Sequence, residues 1–186
     1  MTTIWGIAGR AGSGKDEIAR YLVQKHGFIR RAFADGLKDA ARAIFGLDGE
    51  QVYGDKKEVV DDYWRRTPRE ILQLLGTECL RRGYGDDVWV RALKRYIDLE
   101  TRRWEPTFGD QQAWVIPDVR FVNEAEAIRA WGGRLIRVTR DVGDVGIAGH
   151  ASEHDLDDYH AWDAEVPNRG TLDDLYQQVE MIWRIL

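Results

Sequence analysis

Short apolar runs and longer amphipathic stretches follow one another along this chain, and together they read as strand, helix, strand, helix. Ile4-Trp5-Gly6-Ile7-Ala8 is a continuous apolar run, the pattern of a strand buried on both faces. From Lys15 the period changes, and Ile18, Ala19, Leu22 and Val23 fall on one face of a helix. Phe28 to Ala34 reads as a second strand ending at Asp35-Gly36, with a helix expected from Leu37 to Phe45. Residues 46–66 are polar, carry no clear period, and are expected to form a mobile insertion. Thr67-Pro68-Arg69-Glu70 marks a helix start: Thr67 is the N-cap, Pro68 takes the first helical position and Glu70 completes a capping box. Ile71, Leu72, Leu74, Leu75 and Leu80 supply that helix's buried side, and a further helix is expected from Val88 to Trp104.

The second half repeats the alternation. Ala113 to Asp118 is a buried strand ending in an acid, a helix begins around Arg120 to Glu124, and Gly132-Gly133 turns the chain into the strand Leu135 to Thr139. Residues 141–159 are polar and Gly-rich, as a lid over a phosphate site would be. A short apolar segment at Ala164-Glu165-Val166 and a helix from Leu172 to Ile185 close the pattern. Strand alternating with helix implies a three-layer α/β fold with a central parallel sheet.

Composition narrows the picture only a little. A chain of 186 residues can bury the core of one domain. The net charge of −5 gives no general field for nucleic acid, so a nucleic-acid partner is not expected and a small phosphorylated substrate fits better. Cys79 is the sole cysteine, which excludes an internal disulfide and a Cys-rich zinc site. No apolar run reaches the roughly twenty residues of a membrane span, and the start of the chain has no export pattern. The expectation is a cytoplasmic protein without a membrane partner; a homodimer is left open.

The chemistry gathers first at Gly9-Arg10-Ala11-Gly12-Ser13-Gly14-Lys15-Asp16, between the first strand and the first helix. Glycines there let backbone N–H groups turn inward on an anion, Lys15 adds a mobile charge, and the helix presents its positive end. Gly12, Ser13, Gly14, Lys15, Asp16 and Glu17 form the candidate cofactor-binding set, for ATP. Asp16 stands where a Ser or Thr ordinarily holds Mg²⁺; a carboxylate also suits that cation, while the plainer reading is a Gly-rich turn capped by Asp16.

Loops at the carboxyl ends of parallel strands share one edge, which brings Asp35, Lys38, Asp118 and Arg140 toward the same ligand. Asp35 is a candidate for orienting an attacking group or a metal-bound water, or simply a helix cap. Lys38 is a candidate phosphate ligand, or a solvated lysine. Arg69, in a first helical turn where its charge opposes the dipole, gains most from a bound anion; the plain alternative pairs it with Glu70 or Glu50. Asp118 and Asp16 are the candidate Mg²⁺ ligands. Trp89 could cover a nucleobase, though core packing is the default for an aromatic at helical spacing. No arginine occurs between Asp141 and Tyr159, so transition-state cations must come from elsewhere, with Arg10 and Arg140 as candidates. His150-Ala151-Ser152-Glu153-His154 matches a zinc-peptidase pattern formally, but the glycines before it argue against the helix that pattern needs; His150 and Glu153 are expected to contact nucleotide or lid.

Taken together, Gly-x-Ala-Gly-Ser-Gly-Lys-Asp, Phe33-Ala34-Asp35-Gly36-Leu37-Lys38, Thr67-Pro68-Arg69-Glu70 with Leu74-Leu75-Gly76-Thr77-Glu78, and Asp118-Val119-Arg120-Phe121-x-Asn123-Glu124 resemble the phage-type deoxynucleoside monophosphate kinases, from the first strand to about Glu153. The resemblance implies a single P-loop kinase domain over 1–186, with a phosphate loop at 9–16, a helical substrate-binding region at about 36–105 and a lid at about 141–159. It implies transfer of the ATP γ-phosphoryl group, with Mg²⁺, to a deoxynucleoside 5′-monophosphate. On matching positions, Lys15 would hold the ATP phosphates, Lys38 and Arg69 the acceptor phosphate, and Glu78, Asp118, Arg120 and the stretch to Glu124 the acceptor side. The alternatives are a P-loop kinase for another small acceptor of the dephospho-coenzyme A type, a kinase acting on a base within DNA, and a non-catalytic nucleotide-binding module.

Overall fold

The computed structural model describes residues 2–103, 112–140 and 155–186. The chain folds as two compact units, Met1–Ala32 with Asp98–Leu186, and Phe33–Ile97.

The first unit is built on a five-stranded parallel sheet: β1 (Thr3–Ala8), β2 (Ile29–Arg30), β3 (Ala113–Val119), β4 (Arg134–Thr139) and β5 (Ala164–Pro167), in the order β2-β3-β1-β4-β5. β1 lies at the centre, paired to β3 through Ile4–Trp114 and Trp5–Val115 and to β4 through Gly6–Leu135 and Ala8–Arg137. A central strand covered on both faces must be apolar throughout, which explains its unbroken run. On one face, Trp5, Ile7, Ile136 and Val138 pack with Ile18, Ala19 and Leu22 of α1 (Lys15–His26) and with Leu175 and Val179 of α7 (Leu172–Ile185). The opposite face meets α6 (Val122–Ala130), whose Ile128 approaches Gly6 so closely that an added Cβ would lie 2.5 Å from its Cδ1. The connections β1 to β2, β2 to β3 and β3 to β4 each run strand to helix to parallel strand, as the alternation required.

The second unit holds α2 (Phe33–Phe45), α3 (Gly49–Val52), α4 (Pro68–Gln73) and most of α5 (Val88–Arg103). Ala41, Leu47, Val52 and Ile71 form a buried cluster in it, with Phe45, Leu72 and Leu75 against them, and Phe33, Trp89, Leu93 and Ile97 are buried as well.

Several expectations need correction. The strand expected over Phe28 to Ala34 pairs only at Ile29–Arg30, and α2 already begins at Phe33. Phe33, Leu37, Ala41 and Phe45 recur every four residues, so a helical stripe overrides the apolar run that suggested strand. Residues 46–66 are structured: Asp48 caps α3 in a capping box with Gln51, Asp55–Glu58 forms a 3₁₀ turn, and Asp61 bridges Arg66. Val23 and Leu74, expected inside, are exposed. Leu74 falls out because the chain changes to π-helical spacing over Leu74–Arg81, which rotates side chains away from the 3.6-residue stripe. The helix expected near Arg120 starts at Val122. The Glu124 carboxylate, buried, accepts hydrogen bonds from Arg120 N at 2.9 Å and Phe121 N at 3.3 Å. No described helix is long and apolar enough to cross a membrane.

Candidate functional site

The phosphate loop follows β1 directly. Gly12 and Gly14 have φ of 74° and 102°, a left-handed geometry that turns the backbone at little cost only without a Cβ. Gly14 is also hemmed in: an added Cβ would lie 2.5 Å from Asn168 Nδ2. Asn168, just past β5, clasps the loop by donating from Nδ2 to Ser13 O at 2.9 Å, while its own N–H donates to Thr139 O at 2.7 Å. Lys15 opens α1 and is 6 % exposed, with Nζ donating to Arg10 O at 3.3 Å. An ammonium folded back over its own loop is positioned for an anion held there. The Ser13 hydroxyl is 99 % enclosed by residue exposure of 1 %, and its Oγ has no hydrogen-bond partner among the described residues. A buried hydroxyl left so is costly unless a ligand oxygen completes it. That orphaned atom, the left-handed glycines and Lys15 all fit a polyphosphate.

Beside the loop lies a cleft of about 230 Å³, with Gly9, Arg10 and Ser13 at one end and Val119, Arg120, Arg137, Arg140 and Trp162 around it. Four arginines thus line one cleft in a chain whose net charge is −5. Such local concentration of positive charge within low-dielectric walls focuses the field on an anion. Asp157 offsets part of it through Arg10, at 3.4 Å. Arg137 lies 5.8 Å from the Trp162 ring, whose Nε1 donates to Tyr159 O at 2.7 Å. Tyr159 is itself buried; desolvation first, and then the neighbouring Glu126 carboxylate, push its phenol up to about 12, so it remains protonated and neutral.

The other expected residues of this unit are dispersed. Asp16 sits in the first turn of α1 with its side chain 67 % exposed, 3.9 Å from Lys15 and 4.0 Å from Arg30. Glu17 faces α7, where it accepts from the Tyr176 hydroxyl and pairs with Arg20 at 2.8 Å. Asp118 is half-buried near the end of β3, while Val119 and Arg120 furnish that strand's part of the cleft wall. No group of three or more His, Cys, Asp or Glu among the described residues is arranged to hold a metal.

In the second unit, Asp35 lies in the first turn of α2, buried, rather than in a loop after a strand. Tyr53 links it to Lys38: its hydroxyl donates to Asp35 Oδ1 at 3.5 Å, and Lys38 Nζ stands 4.3 Å from its ring centroid. Arg69 is ion-paired with Glu58, not with Glu70 or Glu50, and Glu78 with Arg82 one turn on. Trp89 is buried and donates from Nε1 to Gly76 O at 3.3 Å, so core packing accounts for it. His150 and Glu153, and residues 141–154 of the lid expected over about 141–159, lie outside the described residues.

Arg137, Trp162, Asn168 and Tyr53 escape sequence reasoning. Arg137 sits inside an apolar strand, and only the register that sets it beside Ala8 brings it next to the loop. The signal available was a charge breaking the run Leu135 to Val138.

Comparison with known proteins agrees with this geometry. Residues 50–179 match the family described as deoxynucleotide monophosphate kinase. A protein of Acanthamoeba polyphaga mimivirus, named as a candidate deoxynucleotide monophosphate kinase, is 38 % identical over 183 residues, covering 94 % of this chain and 92 % of its own length. The deoxynucleotide monophosphate kinase of Escherichia phage RB69 is 29 % identical over 126 residues, 67 % of this chain but 47 % of the phage protein. Among solved structures, TT1252 from Thermus thermophilus superposes with a TM-score of 0.55 at 19 % identity, covering 100 % of this chain and 98 % of its own. Dephospho-CoA kinase from Campylobacter jejuni does so with a TM-score of 0.50 at 12 % identity, covering 98 % and 96 %. These two likenesses show the fold, that of the P-loop kinases. With the family match spanning most of the sequence and the phosphate loop formed as that fold requires, the chain belongs to the deoxynucleotide monophosphate kinase family.

Proposed function

We propose that this protein transfers the γ-phosphoryl group of ATP to a deoxynucleoside 5′-monophosphate. The bond from the γ-phosphorus to the β–γ bridging oxygen breaks and one to an acceptor phosphate oxygen forms, leaving ADP and a deoxynucleoside diphosphate. The observation that carries this reading is the phosphate loop opening on an arginine-lined cleft, in a chain of this family. An acceptor phosphate is already nucleophilic, so the protein's task is to bring two polyanions together and hold them in line.

Roles follow from placement. The loop N–H groups, the Ser13 hydroxyl and Lys15 take the ATP phosphates. Arg10, Arg120 and Arg140 make the cleft in which charge is redistributed more favourable for anionic oxygens. Lys38 and Arg69, in the second unit, are assigned to the acceptor phosphate by the family resemblance, and Asp35 steadies Lys38 through Tyr53. Mg²⁺ commonly binds phosphate oxygens, waters and only one or two carboxylates, for which Asp16 and Asp118 are the candidates, and no group of three or more such ligands occurs among the described residues. When bound it would neutralise phosphate charge; those two residues are the ones that would hold it.

The test is ADP release from Mg-ATP against the four deoxynucleoside monophosphates, the ribonucleotides, dephospho-coenzyme A and single-stranded DNA. Turnover confined to one or more deoxynucleoside monophosphates is the expected result. ATP binding with silence on every acceptor would return the chain to a non-catalytic nucleotide-binding module.

A further inference from the structure

We infer that Arg137, positioned by Trp162, supplies the positive charge that meets the phosphoryl group in transit, a role for which the lid offers no arginine; this rests on the kinase reading above. Three arginines of the cleft besides Arg120 could do so, and their surroundings separate them. Arg10 is about half exposed and engaged with Asp157. Arg140 is exposed, at the very end of β4. Arg137 is half-buried within β4, in register with Ala8, the last residue before the phosphate loop. It therefore stands one strand spacing, about 4.8 Å, from the strand that delivers the loop. The methyl side chain of Ala8 leaves space on that face of the sheet, and Val119 takes the corresponding position on β3.

Among the described residues, Arg137 is held without being neutralised. Glu165, in register on β5, is exposed, and among the described residues no carboxylate reaches ion-pair distance of the Arg137 guanidinium. Its contact is instead the Trp162 ring, which is anchored through its own Nε1 and between two chain neighbours that are themselves held. Trp162 Nε1 donates to Tyr159 O. Arg129 donates to Ala161 O at 2.9 Å, while Asp163 accepts from Leu135 N at 2.8 Å and pairs with Arg134 at 3.0 Å. An arginine stacked on a fixed aromatic face keeps its charge, loses little further freedom on meeting an anion, and presents its fork of donors. Preorganised donors in a water-poor site act most strongly where charge develops during reaction. Arg137 is thus a catalytic residue and Trp162 a positioning residue.

The experiment is steady-state kinetics and ATP-binding calorimetry on wild type, Arg137→Ala, Arg137→Lys, Trp162→Ala and Trp162→Phe. Arg137→Ala should lower kcat by roughly 10²-fold or more, as removal of a preorganised donor does, with KM for both substrates and the ATP Kd within about threefold. Arg137→Lys should recover part of kcat, and added guanidinium ion at millimolar concentration should recover part of it for Arg137→Ala. Neither rescue is expected of a residue that only packs. Trp162→Phe should stay near wild type and Trp162→Ala should lose about tenfold in kcat, consistent with the loss of one positioned contact. A folded Arg137→Ala with wild-type kcat overturns the inference, as does an equal loss of ATP affinity and turnover. Absence of transfer by the wild type fails differently: it removes the kinase reading itself, and this inference with it.

Discussion

In the first unit Arg137 lies against an indole with no carboxylate at ion-pair distance among the described residues, whereas in the second Arg69 and Arg82 each close on a glutamate and Lys38 sits over Tyr53. The scaffolds differ in the same sense. One is a sheet with Trp5, Ile7, Ile18, Leu22 and Leu175 fully buried in its core. The other packs Ala41, Leu47, Val52 and Ile71 together and leaves Val59, Val60 and Tyr63 exposed, Tyr63 at 82 %. Charge held ready on a stiff frame favours the reacting group; charge that must exchange one partner for another favours reversible capture. The first unit is therefore the place to look for losses in kcat, and the second for changes in KM.

The largest effect expected is at Lys15. Lys15→Ala should reduce turnover by roughly 10³-fold in a folded protein, measured by ADP release with circular dichroism as the folding control. A variant retaining turnover would break the comparison at its firmest point. Asn168→Ala comes next, because it leaves the Ser13 carbonyl without its donor and the loop without its clasp. A loss of about 1–3 kcal/mol is expected from an unsatisfied buried acceptor, read as a lower midpoint in urea and as weaker ATP binding. The second unit answers with opposite signs. Arg69→Ala should raise the acceptor KM by about tenfold, whereas Glu58→Gln, which frees Arg69, should lower it by up to about fivefold, the worth of a surface ion pair. Equal KM values in both variants would show that Arg69 does not meet the acceptor.

The smallest effect concerns the seam between α1 and α7, where Glu180 accepts from the Tyr21 hydroxyl at 2.8 Å and meets His26 at 2.6 Å. Hydrogen bonding from Tyr21, then from His26, holds the Glu180 carboxyl below its usual range. A carboxylate depressed in the folded state contributes stability that is present above its unfolded value, near pH 4.3, and is lost as pH falls through the folded one. The thermal midpoint of wild type should therefore fall more steeply below about pH 4 than that of Glu180→Gln. Parallel curves would remove Glu180 as the cause.

Much of both units could be read along the chain where the cues are local. The loop glycines, Lys15 and the buried run before them are adjacent in sequence, and Thr67-Pro68-Arg69-Glu70 forms the capping box its spelling implies. What could not be read depends on distance or on competing periods. Phe28 to Ala34 carries apolar residues that serve either a strand or the start of α2, and the helical stripe from Phe33 decides it. The π-helical turns from Leu74 have no counterpart in a 3.6-residue count. Arg137 acquires its place beside the loop only through the pairing of β4 with β1, over more than a hundred residues, and Asn168 reaches Ser13 only because β5 pairs with β4.

The position of β1 at the middle of the sheet has a consequence for the chain as it is made. Translation delivers Thr3–Ala8 before both strands that flank it: Ala113–Val119 and Arg134–Thr139 come far later in the chain, and the asparagine that clasps the loop comes only at 168. The central strand thus waits for its partners. While it waits, an apolar strand with both edges unpaired is the part of the nascent chain most in need of shelter from its neighbours.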